Sequence, residues 1–164
     1  LYGGFMATKA GVKIIEYNVR FGDPEAINVL AILETDFVSI CQAIISGTLT
    51  QNHVRFAAKA TVCKYAVPEG YPDNPIKNQK IDISKVEHKD SLYYASVDER
   101  EDGLYETGSR AIAVLGIGRT IAEVEQLAET EINKIKGPLF HREDIGTPTL
   151  IQKRVEMMHA LRIQ

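Results

Sequence analysis

Tryptophan is absent from this chain, and cysteine is limited to Cys41 and Cys63 among 164 residues. Both cysteines fall inside apolar patterns, which argues against a disulfide framework or a cysteine metal site. They are expected to be small buried hydrophobes in a reducing cytoplasm. Excess charge is missing as well: the net charge is −3 and the pI about 5.8, so no basic field points to nucleic acid. No apolar run approaches the roughly 18 residues needed to span a membrane. The four histidines, His53, His88, His141 and His159, lack metal-ligand spacing. No serine sits in a nucleophile elbow, and Gly116-Ile117-Gly118 is only part of a dinucleotide fingerprint. There is no internal repeat. At 45% hydrophobic the chain has material for one or two small domains.

What is present is concentrated in Glu16-Tyr17-Asn18-Val19-Arg20-Phe21-Gly22-Asp23-Pro24-Glu25. It follows Val12-Lys13-Ile14-Ile15, which reads as a β-strand. If that strand continues to Arg20, then Glu16, Asn18 and Arg20 share one face. A carboxylate and an amide oxygen suit a hard cation such as Mg²⁺, and a guanidinium beside them suits phosphate. The simpler reading is a strand showing its polar face to water. The trio's composition, followed directly by a glycine turn and a helix start, weighs against that. Asp23 is either the N-cap of this helix or a site residue, with Pro24 at the first helical position and Glu25 in the first turn.

Leu1–Thr8 and Val12–Val19 flank Lys9-Ala10-Gly11 and predict a hairpin. A helix is expected over Pro24–Leu33. A second, capped by Thr35, carries Phe37, Ile40, Cys41, Ile44 and Ile45 until Gly47 stops it. Alternation over Val54, Phe56, Ala58, Ala60 and Val62 predicts a strand, and the stretch Pro68–Pro75 is a loop. Short strands are expected near Lys80–Ile83, Leu92–Val97 and Ala111–Ile117, the last central, with 99–103 as a charged hairpin turn. Thr120-Ile121-Ala122-Glu123 reads as a capping box for a helix reaching Ile135. A last helix starts at Thr147-Pro148, with Leu150, Ile151, Val155, Met158 and Leu161 facing inward and Met157-Met158 in core packing. A composition shift near Thr48–His53 divides the chain into units 1–50 and 51–164.

Three blocks give the chain a family likeness. The stretch from Leu1-Tyr2-Gly3 through Glu25, then Gly70-Tyr71-Pro72 with Thr107-Gly108-Ser109-Arg110, and finally Arg142 with Asp144-Ile145-Gly146, together resemble the phosphoribosylamine–glycine ligases of purine biosynthesis. The resemblance implies an α+β chain: the C-terminal piece of an ATP-grasp domain, then a small mixed domain with a barrel-like or sandwich-hybrid antiparallel sheet and helices. It implies a carbon–nitrogen ligase that joins glycine to 5-phosphoribosylamine through a glycyl phosphate, converting ATP to ADP and phosphate. By the same likeness Glu16 and Asn18 are metal ligands for Mg²⁺ or Mn²⁺. Arg20 is the catalytic group on the transferred phosphoryl, and Asp23, Glu25 and Arg110 are substrate- or phosphate-binding residues. Gly4, Ser109 and Glu143 depart from the family pattern, and Arg142 is expected to form a salt bridge with Asp144.

The likeness covers only the C-terminal part of such an enzyme, so the expected partners include the missing N-terminal part, along with ATP, glycine and 5-phosphoribosylamine. A cytoplasmic location is expected, and the isolated chain is expected to be catalytically silent. Two rivals stand beside this reading: the C-terminal part of a biotin-dependent carboxylase, and a non-catalytic binding module with the same fold.

Overall fold

Residues 1–162 are described by a computed structural model. The chain opens with an antiparallel hairpin, β1 (Tyr2–Thr8) and β2 (Gly11–Asn18). Lys9 and Ala10 form the turn, and Gly11, which opens β2 opposite Thr8, takes the positive φ that follows it. Two short helices follow, α1 (Glu25–Leu30) and α2 (Phe37–Ile45). The cap of α2 is Asp36, whose carboxylate accepts from the Ser39 amide at 2.7 Å, and not Thr35. Thr35 Oγ1 instead accepts from the Arg55 amide.

The rest is a mixed helix and antiparallel-sheet assembly, as the α+β reading requires. One four-stranded sheet has the order β5-β8-β3-β9, built from β3 (Ala60–Pro68), β5 (Leu92–Tyr94), β8 (Ile112–Gly118) and β9 (Leu139–Phe140). A second, of order β4-β7-β6, contains β4 (Lys80–Ile81), β6 (Val97–Arg100) and β7 (Gly103–Glu106). Both sheets end in open edges, so the barrel-like element does not close. Strand β8 is central, as its apolar run predicts. The strand expected over Val54–Val62 begins at Ala60 instead, and the stretch before it makes only an isolated bridge between Phe56 and Leu33. The strand expected over Leu92–Val97 splits between the two sheets.

Helix α3 (Ile121–Ile132) packs on β3 and β8. Its inward residues Val124, Ala128 and Ile132 join Val62, Ala66, Ile112 and Val114 in the core. The contact is close enough to specify glycine at Gly116, where an added Cβ would run into the Val124 carbonyl. Thr120 caps α3 through the Glu123 amide, but the Glu123 carboxylate reaches back to the Arg119 amide, one residue earlier than a full capping box places it. The helix stops at Ile132, short of the expected Ile135. Helix α4 (Pro148–Arg162) meets its expected inward face only in part. It buries no residue, and Ile151, Val155 and Met157 are exposed. Leu150, Met158 and Leu161 are half-buried and the helix touches β1, but the core role expected of Met157 is not met.

Inside this core sits a charge. Lys64 on β3 is 1% exposed, and its ammonium donates to Glu125 Oε1 at 2.7 Å, to the Glu129 carboxylate and to the Glu143 carbonyl at 2.9 Å. Three acceptors satisfy the three N–H groups of a lysine, which is the condition for burying one. The link ties β3 to α3 and to the segment before α4.

Candidate functional site

Strand β2 ends at Asn18, so the face shared by Glu16 and Asn18 does not extend to Arg20. The pairing register shifts between Gly4 and Phe5: Gly4 faces Glu16 while Phe5 faces Ile14, which makes Ile15 the extra residue of a bulge. Bulges re-aim the side chains beside them. Glu16 follows directly, with its Cγ 3.4 Å from where a Cβ on Gly4 would stand. The Asn18 amide nitrogen is buried and has no hydrogen-bond partner. The donor end of that carboxamide is therefore not tied to an acceptor of the chain.

A carboxylate and a carboxamide two residues apart make a fitting oxygen pair for a hard divalent cation. Among the described residues there is no group of three or more His, Cys, Asp or Glu that could hold a metal alone. A cation held by this pair would need its other ligands from water or from phosphate oxygens, the usual arrangement for Mg²⁺.

Past β2 the chain bends. Arg20 Nη1 donates to the Phe21 carbonyl at 2.9 Å, so one end of its guanidinium is engaged with the backbone. Gly22 is buried, and a Cβ there would meet Glu25 Oε2 at 2.5 Å and the Tyr2 ring at 2.8 Å. Only glycine permits that approach. Glu25 Oε1 accepts from the Tyr2 hydroxyl at 3.2 Å, and the charge of Glu25 raises the Tyr2 phenol above its ordinary pKa.

Asp23 does not cap α1, which has no side-chain cap. Its Oδ1 accepts from the Tyr65 hydroxyl at 3.0 Å. Arg110 Nη1 donates to the Asp23 carbonyl at 2.8 Å and lies 3.5 Å from Oδ2. The Arg110 guanidinium also lies over the Tyr65 ring, 5.6 Å from its centroid. Burial, then the hydrogen bond and charge of Asp23, push the Tyr65 phenol well above its ordinary range. Sequence reasoning brought forward Asp23 and Arg110 but missed Tyr65, the group that joins them.

These residues border a cleft of about 480 Å³ whose lining includes Pro24, Tyr65, Tyr71, Arg110, Phe140 and Arg142. Arg142 makes the expected salt bridge, with Nε on Asp144 Oδ1 at 3.0 Å and Nη2 on Oδ2 at 2.8 Å. Cys63, also in the lining, is a buried thiol pushed up to about 12, first by burial and then by the charges of Asp23 and Glu25. It is no nucleophile. Of the predicted residues, the structure gathers Asp23 and Arg110 at the cleft and puts Glu16 with Asn18 on the neighbouring hairpin. Glu25 is held by Tyr2, whose phenol also feels the charges of Glu16 and Arg20.

Comparison with known proteins gives a consistent answer. Residues 61–148 match the model described as phosphoribosylglycinamide synthetase, C domain, and residues 1–26 match the ATP-grasp (A) domain of the same synthetase. A phosphoribosylamine–glycine ligase of Methanocaldococcus jannaschii is 54% identical over 165 residues, covering 99% of this chain and 37% of that protein. The ligase of Methanosarcina barkeri is 53% identical, with 99% and 37% covered. The crystal structure of a phosphoribosylamine–glycine ligase from Thermotoga maritima superposes with a TM-score of 0.71 at 26% identity, over 87% of this chain and 35% of that one. The chain thus spans a little over a third of the length of the curated relatives it matches. The matches support the ligase reading and do not favour the carboxylase.

Proposed function

This chain belongs to the phosphoribosylglycinamide synthetase family, and we propose that it forms one wall of the active cleft of an ATP-dependent ligase. The ligase joins the carboxylate of glycine to the amine of 5-phosphoribosylamine. The observation that carries this reading is the hairpin end: Glu16 and Asn18 side by side after a bulge, with an amide nitrogen tied to no acceptor, inside the stretch that matches the ATP-grasp domain. We divide the chain near residue 50, with an ATP-grasp piece before it and the C-terminal domain after it, and place the reaction in the cytoplasm. Among the described residues no helix is long and apolar enough to cross a membrane.

In this reading a glycine carboxylate oxygen attacks the γ-phosphorus of ATP and ADP leaves. The amine of phosphoribosylamine then attacks the glycyl carbonyl carbon and phosphate departs with the bonding pair. Reactions of this kind depend on positioning and charge neutralisation. Glu16 and Asn18 would hold Mg²⁺ or Mn²⁺, which would supply charge neutralisation for the phosphates. Arg20 swings from the Phe21 carbonyl to the transferred phosphoryl group. The bond it gives up is a single exposed one, so the swing is inexpensive. Asp23 fixes Arg110 through a carbonyl and a carboxylate contact, and Arg110 presents its remaining N–H groups to substrate phosphate. Glu25 orders the turn through Tyr2 and faces the substrates from there.

The test is ADP release by a full-length ligase carrying this chain, measured with each substrate omitted in turn. The proposal expects ADP only when glycine is present and full turnover only with phosphoribosylamine. The 164-residue chain alone is expected to give neither. Turnover by the chain alone, or carboxylation that needs bicarbonate and biotin, sinks the reading.

A further inference from the structure

We propose that Tyr65 is a positioning residue for the ligase reaction: acting through Asp23, it fixes where the Glu16–Asn18 end of the hairpin stands relative to the four-stranded sheet. The proposal rests on the ligase reading for the chemistry and on the packing of α1 for the mechanism. Strand β3 is covered on both faces. Its even-numbered residues Val62, Lys64 and Ala66 face α3, and its odd-numbered residues Thr61, Cys63 and Tyr65 face α1 and the turn before it. Two polar ties hold α1 there. Asn28 Nδ2 donates to Thr61 Oγ1 at 3.0 Å, and the Tyr65 hydroxyl donates to Asp23 Oδ1 at 3.0 Å. Between these ties Cys63, Ile27 and Ala31 join one apolar cluster.

A short, stiff path runs from Tyr65 to the hairpin end. Asn18 lies opposite Tyr2 in the hairpin register. The Tyr2 hydroxyl donates to Glu25 Oε1 at 3.2 Å, and the Tyr2 ring and Glu25 leave room only for glycine at Gly22. The Ala26 amide closes the same turn on the Gly22 carbonyl at 2.9 Å. Asp23 follows at once, held by Tyr65 on its carboxylate and by Arg110 on its carbonyl. Burial and the hydrogen bond to Asp23 hold the Tyr65 phenol above its ordinary range, so it stays a neutral donor. Without that hydroxyl the Asn28–Thr61 tie keeps α1 on the sheet, but the turn at its head is free to shift.

The chemistry makes such a shift measurable. Glycyl phosphate is consumed productively only if the amine reaches its carbonyl carbon before water does. The hairpin carries Glu16 and Asn18, and the sheet carries the rest of this wall, so the tie between them sets that alignment. A misplacement of about 1 Å can cost on the order of a hundredfold in rate. When the amine is out of line, water attacks the glycyl carbonyl carbon, phosphate departs with the bonding pair, and glycine is regenerated. ADP is then released without an amide. Loss of the Tyr65 tie thus uncouples ATP cleavage from amide formation, whereas a residue that only supports the fold changes stability.

The experiment measures ADP and amide product separately in a full-length ligase carrying this chain, with all substrates present and below the melting transition of every variant. The parent is expected to release one ADP per amide. In Tyr65→Phe amide formation should fall about tenfold, as loss of a hydrogen bond to a charged group does. The KM for ATP should be unchanged, and more than one ADP should appear per amide. The amides of Gly22, Asp23 and Glu25 should exchange faster while β8 stays protected. Asp23→Ala should lose at least as much. Adding Tyr65→Phe to it should change the rate by less than about twofold, because the hydroxyl then has no carboxylate to hold. A parental rate in Tyr65→Phe, a fall that leaves one ADP per amide, or losses that multiply in the double variant overturns the proposal. Failure here leaves the ligase reading standing if the parent still needs glycine for ADP release and loses turnover when Glu16 is replaced.

Discussion

Replacing Lys64 with Met tests the packing that holds the floor of the cleft. The methionine keeps the apolar stem but removes an ammonium bonded to Glu125, Glu129 and the Glu143 carbonyl. Breaking a buried ion pair from one side costs roughly 3–5 kcal/mol, because the remaining charge is left uncompensated. Here the side chains of Glu125 and Glu129 keep 16% and 28% of their exposure, and Glu129 retains bonds from Asn133 and His141. The low end therefore applies, about 3 kcal/mol. For a domain of this size that lowers the melting midpoint by about 6–12 °C.

The pH dependence gives a second reading of the same change. Burial works against the charged form of Glu129, but hydrogen bonds from Lys64, His141 and Asn133 outweigh it and hold its pKa below the ordinary 4.5. Lys64 shows the mirror case, with burial outweighed by its two carboxylates and its pKa held above 10.5. A lowered carboxylate stabilises the fold above its unfolded pKa and loses that contribution as pH falls through the folded value. A raised lysine stabilises below its unfolded pKa and loses it as pH rises through the folded value. The gap between parent and Lys64→Met should thus be full from about pH 5 to pH 10 and close on both sides. Urea melts across that range measure it. A difference below about 1 kcal/mol, or one that does not change below pH 4.5, refutes the argument.

Other perturbations follow from single contacts. Glu106 is 0% exposed with neither carboxylate oxygen hydrogen-bonded, and burial followed by the charge of Glu69 raises its pKa. Its cost grows as pH rises from 4.5, so Glu106→Gln should be more stable than the parent by about 1–2 kcal/mol at pH 7 and nearly equal to it at pH 4, by denaturant melts. Gly116→Ala sets a methyl against the Val124 carbonyl and should cost at least about 1–3 kcal/mol, seen in thermal melts. Tyr65→Phe should lose about 1 kcal/mol and speed hydrogen exchange around Asp23 while leaving β8 protected.

The hairpin, the central β8, the Glu99–Gly103 turn and the start of α3 were legible because local signals fix each of them. A glycine turn, an unbroken apolar run and a threonine cap need no distant partner. The stretch 54–59 misled for a physical reason. Its alternation marks extended backbone correctly, but that backbone bonds to the chain after α1, with the Ala57 amide on the Ile32 carbonyl, and joins no sheet. Asp23 misled because a residue before Pro24 looks like a cap until Tyr65 and Arg110, 42 and 87 residues away, claim it. The Lys64 network was missed at similar range. One lysine within an apolar strand, with glutamates at 125 and 129 one helical turn apart, was the signal that could have found it. The apolar residues of α4 were read as core because a sequence shows a stripe but not how fully it is covered, and here only Leu150, Met158 and Leu161 are half-buried.

The central claim is that Glu16 and Asn18 hold the metal at the phosphate end of the ligase cleft. The direct measurement is the rate of ADP release by a full-length ligase carrying this chain, compared among parent, Glu16→Ala and Asn18→Ala over a titration of Mg²⁺ and Mn²⁺. The account expects each substitution to cut the rate by at least about a hundredfold at low metal, with partial recovery as metal rises. A Glu16→Ala enzyme that runs at the parental rate with an unchanged metal requirement contradicts it.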